Sequence, residues 1–235
     1  MTDSSYLGRR AELETYFDRT AVDGWEKLTS NAKLSRIRET VRAGRDEMRA
    51  ALLDWLPADL SGARVLDAGC GTGMLSFEMA RRGADVVASD ISHALIKLAK
   101  QRKPRDLGRG KGRIIFYVGD MLDRGLGRFH YVVAMDSLIH YQTDDMAGAI
   151  ERIAERTDKA ILFTFAPRTP ALAAMHAVGR LFPRSDRAPA IEPVSVRKLA
   201  ETLGETPGLA DWRLTRTQRI SRGFYTSHAQ ELQPK

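Results

Sequence analysis

The run Asp67-Ala68-Gly69-Cys70-Gly71-Thr72-Gly73 places three alternating glycines between an apolar stretch, Val65-Leu66, and a helical pattern that begins at Met74. Glycine tolerates φ > 0 and leaves no Cβ between backbone and ligand. A strand feeding a helix through so bare a turn exposes backbone N–H groups at the positive end of the helix dipole. That chemistry suits a nucleotide-like ligand with a carboxylate. A second acid, Asp90, ends the next apolar run, Ala84-Asp85-Val86-Val87-Ala88-Ser89. It follows the turn by about 20 residues, the interval at which a doubly wound fold places a ribose-binding carboxylate. Its two oxygens can accept from both ribose hydroxyls. Asp90 is also placed to cap the helix starting near Ser92-His93-Ala94, and both roles stay open. The turn lacks the wider glycine spacing of nicotinamide dinucleotide sites. A further strand-end acid stands in Gly119-Asp120-Met121.

The elements that must carry these residues alternate in type. Strand 64–69 leads to helix 73–82, and strand 85–90 to helix 92–103. Pro104 and the glycine-rich run 108–112 mark a loop. Strands follow over 113–118, 129–135 and 160–165, with a helix over 143–156 between the last two. This order predicts a parallel sheet with helices on both faces and ligands outside the carboxyl ends of the strands. Val196–Leu203 reads as a helix, and Trp212–Thr217 with Gly223–Ser227 as an antiparallel hairpin. The tail Gln230–Lys235 is expected to be loose.

Residues 1–60 read as a charged helical arm. Leu13, Tyr16 and Phe17 share one helical face. Leu34, Ile37, Val41 and Met48 keep helical spacing through Arg36, Arg38, Arg42, Arg45 and Arg49, and Pro57 closes the segment. Such an arm can cover the mouth of a site, with Tyr16, Phe17 and Trp25 as flat apolar surface or simply as core. Residues 168–195 interrupt the alternation with Pro170, Pro183, Pro189 and Pro193 around an apolar helix. They read as a substrate cap over the crevice or as an ordinary crossover helix with a long loop.

The 235 residues fit one α/β domain with extras. The formal charge of +7 and a pI of about 9.7 suggest an anionic partner, whether nucleic acid, lipid headgroup or acidic small molecule. Cys70 is the only cysteine, which excludes an internal disulfide and fits a reducing compartment. No apolar N-terminal signal segment is present, and the longest apolar tract, 171–179, is too short to span a bilayer.

The glycine turn with its three strand-end acids resembles the class I S-adenosylmethionine-dependent methyltransferases over roughly 60–230. The resemblance implies an α/β, Rossmann-like fold: a mostly parallel seven-stranded sheet with helices on both faces. The N-terminal helical arm spans 1–60, the methyltransferase domain 61–235, and the small cap inserted after the fifth strand 168–195. It further implies that Asp67 helps place the methionine end of S-adenosylmethionine. Gly69, Cys70, Gly71 and Gly73 would line the ligand, Asp90 with Ile91 would hold the ribose, and Asp120 with Met121 would meet the adenine. Asp136 completes the implied cofactor set. Carboxylates also suit the neighbourhood of a sulfonium cation.

A closer similarity rests on other segments: Tyr16-Phe17-Asp18-Arg19 with Trp25, Val41-Arg42-Ala43-Gly44-Arg45, Asp136-Ser137-Leu138-Ile139-His140-Tyr141, Phe165-Ala166-Pro167-Arg168-Thr169, Leu181-Phe182-Pro183 and Arg222-Gly223-Phe224-Tyr225. Together they resemble the magnesium protoporphyrin IX methyltransferase family of chlorophyll and bacteriochlorophyll synthesis. Many relatives carry a Tyr a few residues after the Trp; this chain has Leu28-Thr29 there, so no role of that Tyr carries over. The resemblance implies methyl transfer to a propionate carboxylate of magnesium protoporphyrin IX. His140 is the expected catalytic residue, orienting the carboxylate, unless it merely caps its loop. Tyr16, Trp25, Tyr141, Arg168 and His176 are the expected substrate contacts, His176 as an axial ligand to the substrate's magnesium. No protein-bound metal is expected. The implied partners are a magnesium chelatase subunit and a membrane surface, and the implied location is cytoplasmic with peripheral contact to a photosynthetic membrane.

Other readings remain open on sequence. The acceptor can be a quinone or another carboxylate, because function is grafted onto this fold. A nicotinamide oxidoreductase and a non-catalytic nucleotide-binding protein are separable by ligand binding and turnover. Nucleic acid is not expected as a partner, since Asp136-Ser137-Leu138-Ile139 lacks the proline-rich loop of exocyclic-amine methylases.

Overall fold

A computed structural model describes residues 3–19, 36–107, 112–168 and 191–235. Among the described residues two helices come first, α1 (Asp3–Arg19) and α2 (Arg36–Trp55). The alternating part follows: β1 (Arg64–Ala68), α3 (Met74–Arg81), β2 (Asp85–Asp90), α4 (His93–Arg102), β3 (Arg113–Val118), β4 (Phe129–Ala134), α5 (Thr143–Ala154) and β5 (Thr157–Phe165). The chain ends with α6 (Val196–Glu205), β6 (Trp212–Arg222) and β7 (Tyr225–Pro234). The strands form one seven-stranded sheet in the order β3-β2-β1-β4-β5-β7-β6. The first five run parallel, and β7 joins β5 and β6 antiparallel.

The sheet is buried on both faces because its central strands are apolar on both sides. On one face Leu66, Val132, Ile161 and Phe163 pack with Met146 and Ile150 of α5, Leu199 and Leu203 of α6, and Tyr6 and Leu13 of α1. On the other, Val65, Val86, Val133 and Leu162 pack with Met48 and Leu52 of α2, Leu75 and Met79 of α3, and Ile96 of α4. The second half of the 1–60 segment is therefore a layer of the fold itself. The registers Asp67↔Ala88, Asp67↔Val133 and Asp90↔Val118 bring the carboxyl ends of β1 to β4 to one rim.

The expected loose tail is a correction. Residues 225–234 form β7, which enters the sheet between β5 and β6 with Ile161↔Leu232 and Leu214↔Leu232 in register. Leu232 and Glu231 are buried there. Glu231 looks like a surface residue in sequence. In the fold it accepts from Arg216 Nη2 at 2.5 Å and Thr215 Oγ1 at 2.7 Å, which makes its burial affordable. After β5, Pro167 bridges Val194, and the intervening 169–190, with the expected cap helix and His176, lie outside the described residues. Trp25 also lies outside them.

Candidate active site

The rim of the sheet holds a cavity of about 220 Å³. Asp67, Gly69, Cys70, Gly71, Asp90, Ile91, Asp120, Met121, Asp136, His140 and Tyr141 all line it, whereas Gly73, expected beside them, faces Phe77 and Ala99 and is not on the cavity wall. Gly69, Gly71 and Gly73 adopt φ of 82°, 53° and 80°, the left-handed region in which side chains are strained. A Cβ on Gly69 would come within 2.4 Å of Ser137 Cβ, whereas one on Gly71 would meet nothing within 4 Å. Gly71 thus leaves bare backbone facing open space.

One sequence expectation fails at this turn. Its N–H groups are consumed within the protein. Gly69 and Cys70 both donate to the Ser89 carbonyl, at 2.8 and 2.9 Å, and Gly73 donates to the Cys70 carbonyl at 2.9 Å. Gly71 N–H donates to Asp90 Oδ2 at 2.8 Å. The turn must fold back to rejoin β2, and these four bonds satisfy groups that burial would otherwise leave unpaired. The turn therefore offers closeness of approach, and at these four positions not hydrogen-bond donors.

Asp90 has a second fixed bond, accepting from Ser92 N–H at 2.9 Å. The cap of α4 is Ser92, whose hydroxyl accepts from Leu95 N–H at 3.1 Å. The two roles that sequence left open for Asp90 are thereby divided, and Asp90 keeps its carboxylate on the cavity wall. Ser92 Oγ in turn donates to Asp18 at 2.7 Å, which pins the end of α1 beside the rim. Asp67 is fully enclosed and accepts from Ser76 of α3. Burial pushes its carboxyl up to about 7, against the opposing Ser76 bond and with the nearby Asp90 charge adding to the rise. Burial likewise raises Asp90 to about 6. Burial pushes the Cys70 thiol up as well, so it stays a neutral part of the wall.

These shifts have a definite sign. In the folded protein both acids hold their protons above the range where the unfolded chain releases them. Their contribution to stability is full below about pH 4, the unfolded value, and is lost as pH rises through about 6 for Asp90 and about 7 for Asp67. We expect ligand-free protein to lose stability between about pH 4 and pH 7 in urea titrations and to level off above that. Asp67→Asn should flatten the upper part of that slope; an unchanged slope would remove Asp67 as its source.

At the β3 end, Asp120 Oδ1 accepts from Tyr6 Oη and from Leu122 N–H, both at 2.8 Å, while Arg10 stands 3.6 Å from Oδ2. Tyr141 stacks on Tyr6 with centroids 5.0 Å apart. Burial drives both phenols well above the ordinary tyrosine range. His140 closes a short 3₁₀ turn, Leu138–His140, is buried, and meets Phe17 edge-on at 5.9 Å. Phe17, not Tyr16, lines the cavity; Tyr16 is half-buried against Phe17 at 5.3 Å. Arg168 is exposed beside Val194 and is not on the cavity wall.

Asp136 departs furthest from a simple ligand contact. It is the one non-glycine residue with positive φ, 53°, among those described. Its carboxylate accepts from Arg45 Nη1 at 2.7 Å, from Tyr225 Oη at 3.1 and 3.2 Å, and from Ser227 Oγ at 3.3 Å. Its N–H donates to Thr164 Oγ1 at 2.7 Å. Four elements, α2, β4, β5 and β7, meet at this node. Tyr6, Ser76 and Tyr225 are site residues that the spacing of the chain did not single out. For Tyr6 and Ser76 the sequence signal is polarity inside otherwise apolar or helical runs, and for Tyr225 its place in one of the segments that carry the resemblance.

The comparisons with known proteins agree along the whole chain. A family model described as magnesium-protoporphyrin IX methyltransferase C-terminus matches residues 134–234, and one described as methyltransferase domain matches 65–159. The chain is 49% identical over 232 residues to the magnesium-protoporphyrin O-methyltransferase of Rhodobacter capsulatus, covering 98% of this chain and 99% of that one. It is similar to the crystal structure of magnesium protoporphyrin IX methyltransferase from Synechocystis PCC 6803 with bound SAH. The TM-score there is 0.84 at 28% identity, covering 97% of this chain and 100% of the other. The same Synechocystis protein with bound SAM gives a TM-score of 0.80 at 26% identity, covering 97% of each chain.

Proposed function

The chain belongs to the magnesium-protoporphyrin O-methyltransferase family, and from this premise we propose the reaction and the residues that serve it. It is an S-adenosylmethionine-dependent enzyme that esterifies a propionate carboxylate of magnesium protoporphyrin IX. The products are the monomethyl ester and S-adenosylhomocysteine. The observation that carries this reading is the 49% identity maintained over 98% of the chain, with the strand-end acids gathered on one cavity.

The cavity fits S-adenosylmethionine by its own features. Gly71 leaves backbone bare where a Cβ would project into open space. Asp90, bonded to Gly71 N–H, puts a carboxylate beside it in a buried setting that strengthens attraction for a cation. When bound, S-adenosylmethionine supplies a methyl carbon made electrophilic by its sulfonium. Asp90 would take the ribose hydroxyls, and Asp120 with Met121 the adenine. Asp120 keeps Tyr6 as a neighbour, so an adenine amino group shares its carboxylate with that phenol.

A propionic acid with a pKa of about 4–5 is already ionised at neutral pH, so the protein needs no strong base. What it must do is hold a carboxylate oxygen in line and keep water away. His140 is buried on the same cavity as Asp67 and Asp90, and the ring of Phe17 closes over it. That placement supports an orienting role for His140. His140→Ala should lower kcat by about ten- to a hundredfold and leave S-adenosylhomocysteine affinity as it was. Full turnover at saturating porphyrin would remove His140 from the mechanism.

The direct assay combines the protein with both substrates and resolves the products by chromatography and mass. A monomethyl ester should form only when both are present. Binding of S-adenosylhomocysteine without ester from an accessible porphyrin would contradict the acceptor. We also read the chain as a cytoplasmic protein in peripheral contact with the photosynthetic membrane that receives its porphyrin from a magnesium chelatase subunit. The charge of +7 supports this, as do the exposed Ile37 on α2 beside Arg36 and Arg38 and the exposed Phe224 in the turn that follows Arg222. Co-sedimentation with anionic vesicles and with that subunit, at low and high salt, tests both contacts.

A further inference from the structure

The cavity lining carries both charges. Asp67, Asp90 and Asp120 line its acidic part at the strand ends, and α2 contributes three arginines, Arg42, Arg45 and Arg49, with one acid, Asp46, that pairs with Arg49. The arginines' spacing of three and four residues puts them on one helical face. A ligand with a sulfonium suits the acidic part. A ligand with two carboxylates does not, since the ionised acids there repel it. The anionic substrate therefore needs the α2 wall.

Within that wall Arg45 is the residue the fold holds in place. Gly44 lets α2 approach β7 so closely that a Cβ there would fall 2.4 Å from the Tyr225 ring. At that distance Arg45 reaches Asp136, and the pair is largely enclosed, with side-chain exposures of 19% and 4%. Asp136 is itself locked by Tyr225, Ser227 and Thr164. A guanidinium carries five N–H donors in a planar fork, enough to serve Asp136 and a second carboxylate. The next residue, Ser137, also lines the cavity, and its Oγ is buried without a hydrogen-bond partner. An unpaired buried hydroxyl is costly, and one χ1 rotation re-aims a serine. The left-handed turn at Asp136 thus sets a fixed cation and an unsatisfied hydroxyl on either side of one residue.

We propose that Arg45 and Ser137 bind a propionate carboxylate of the acceptor, with Asp136 as the positioning residue that holds Arg45. This rests on the proposed acceptor and says how the site selects it: by carboxylate charge at the α2 wall, apart from the donor's acidic part. Asp136 keeps the guanidinium ordered before substrate arrives, which lowers the entropy lost on binding.

The test compares magnesium protoporphyrin IX with its dimethyl ester, which keeps the ring and lacks both carboxylates. Affinities are read by fluorescence quenching, and S-adenosylhomocysteine affinity by calorimetry. Arg45→Gln should weaken the diacid by about tenfold or more, while the diester and S-adenosylhomocysteine stay within about twofold. Ser137→Ala, which leaves the Arg45–Asp136 pair intact, should show the same pattern with a smaller loss, about threefold to tenfold. It keeps the test decisive should Arg45→Gln not fold. Equal losses for diacid and diester, a loss confined to S-adenosylhomocysteine, or no loss in Ser137→Ala would each overturn the inference. Wild-type protein that does not esterify the porphyrin would instead overturn the acceptor assignment.

Discussion

Replacing Gly69 by alanine should abolish S-adenosylhomocysteine binding, with a loss of more than about a hundredfold. The residue sits at φ 82°, and its added Cβ would lie 2.4 Å from Ser137 Cβ. Ser137 follows the Asp136 node and has no flexible end to swing away. Left-handed backbone costs an alanine about 1–2 kcal/mol, and forcing the overlap apart costs a further ~1–3 kcal/mol. Relief requires β1 and the β4 turn to separate, and these two edges frame the cavity. Gly71→Ala makes the informative comparison. Its φ is 53° with open space around the new Cβ, so the ligand-free fold should lose only about 1–2 kcal/mol while binding still falls steeply. Calorimetry and urea unfolding on both variants check this. Wild-type affinity in Gly71→Ala would mean that no ligand approaches the bare turn.

Asp136→Ala should be the most destabilising change at the site, by about 3–5 kcal/mol, the usual result of removing one partner of a buried ion pair. Arg45, Tyr225 and Ser227 would lose their shared acceptor, and α2 would keep only more exposed ties to the sheet such as Glu47 with Arg222. Alanine must also bear the φ of 53°. Asparagine tolerates that conformation and keeps one oxygen for Tyr225, so Asp136→Asn should lose clearly less. The measurement is the urea midpoint at constant slope. A loss below about 1 kcal/mol in Asp136→Ala would show that the pair contributes no more than an exposed one.

The effects differ in kind because the two positions depend on different parts of the chain. The positive φ at 69, 71 and 73 arises within a few residues, where a strand must turn sharply into a helix, and the contact with Ser137 adds to it at Gly69. Asp67 and Asp90 end strands whose apolar runs announce them, and alternation of strand and helix leaves few ways to pack. The fold and the gathering of these acids on one rim were therefore legible in the linear order. The order was also sufficient to place His140 after the fourth strand, where the cavity is found.

Other features depended on partners distant in sequence. Arg45 and Asp136 are 91 residues apart, and Tyr225 lies 89 beyond Asp136. Along the chain Arg45 shares a basic helix face with Arg42 and stands in a segment that carries the family resemblance; its pairing with Asp136 arises once Gly44 packs against Tyr225. Tyr6 meets Asp120 across 114 residues. Glu231 passes for a surface residue until Arg216 neutralises it inside the sheet. The glycine turn's N–H groups look available until Ser89 and Asp90 are brought beside them. Apolar periodicity and backbone conformation are local properties, so sequence determined them. The partner of a buried polar group is decided by desolvation, which exists only once the tertiary structure has closed around it.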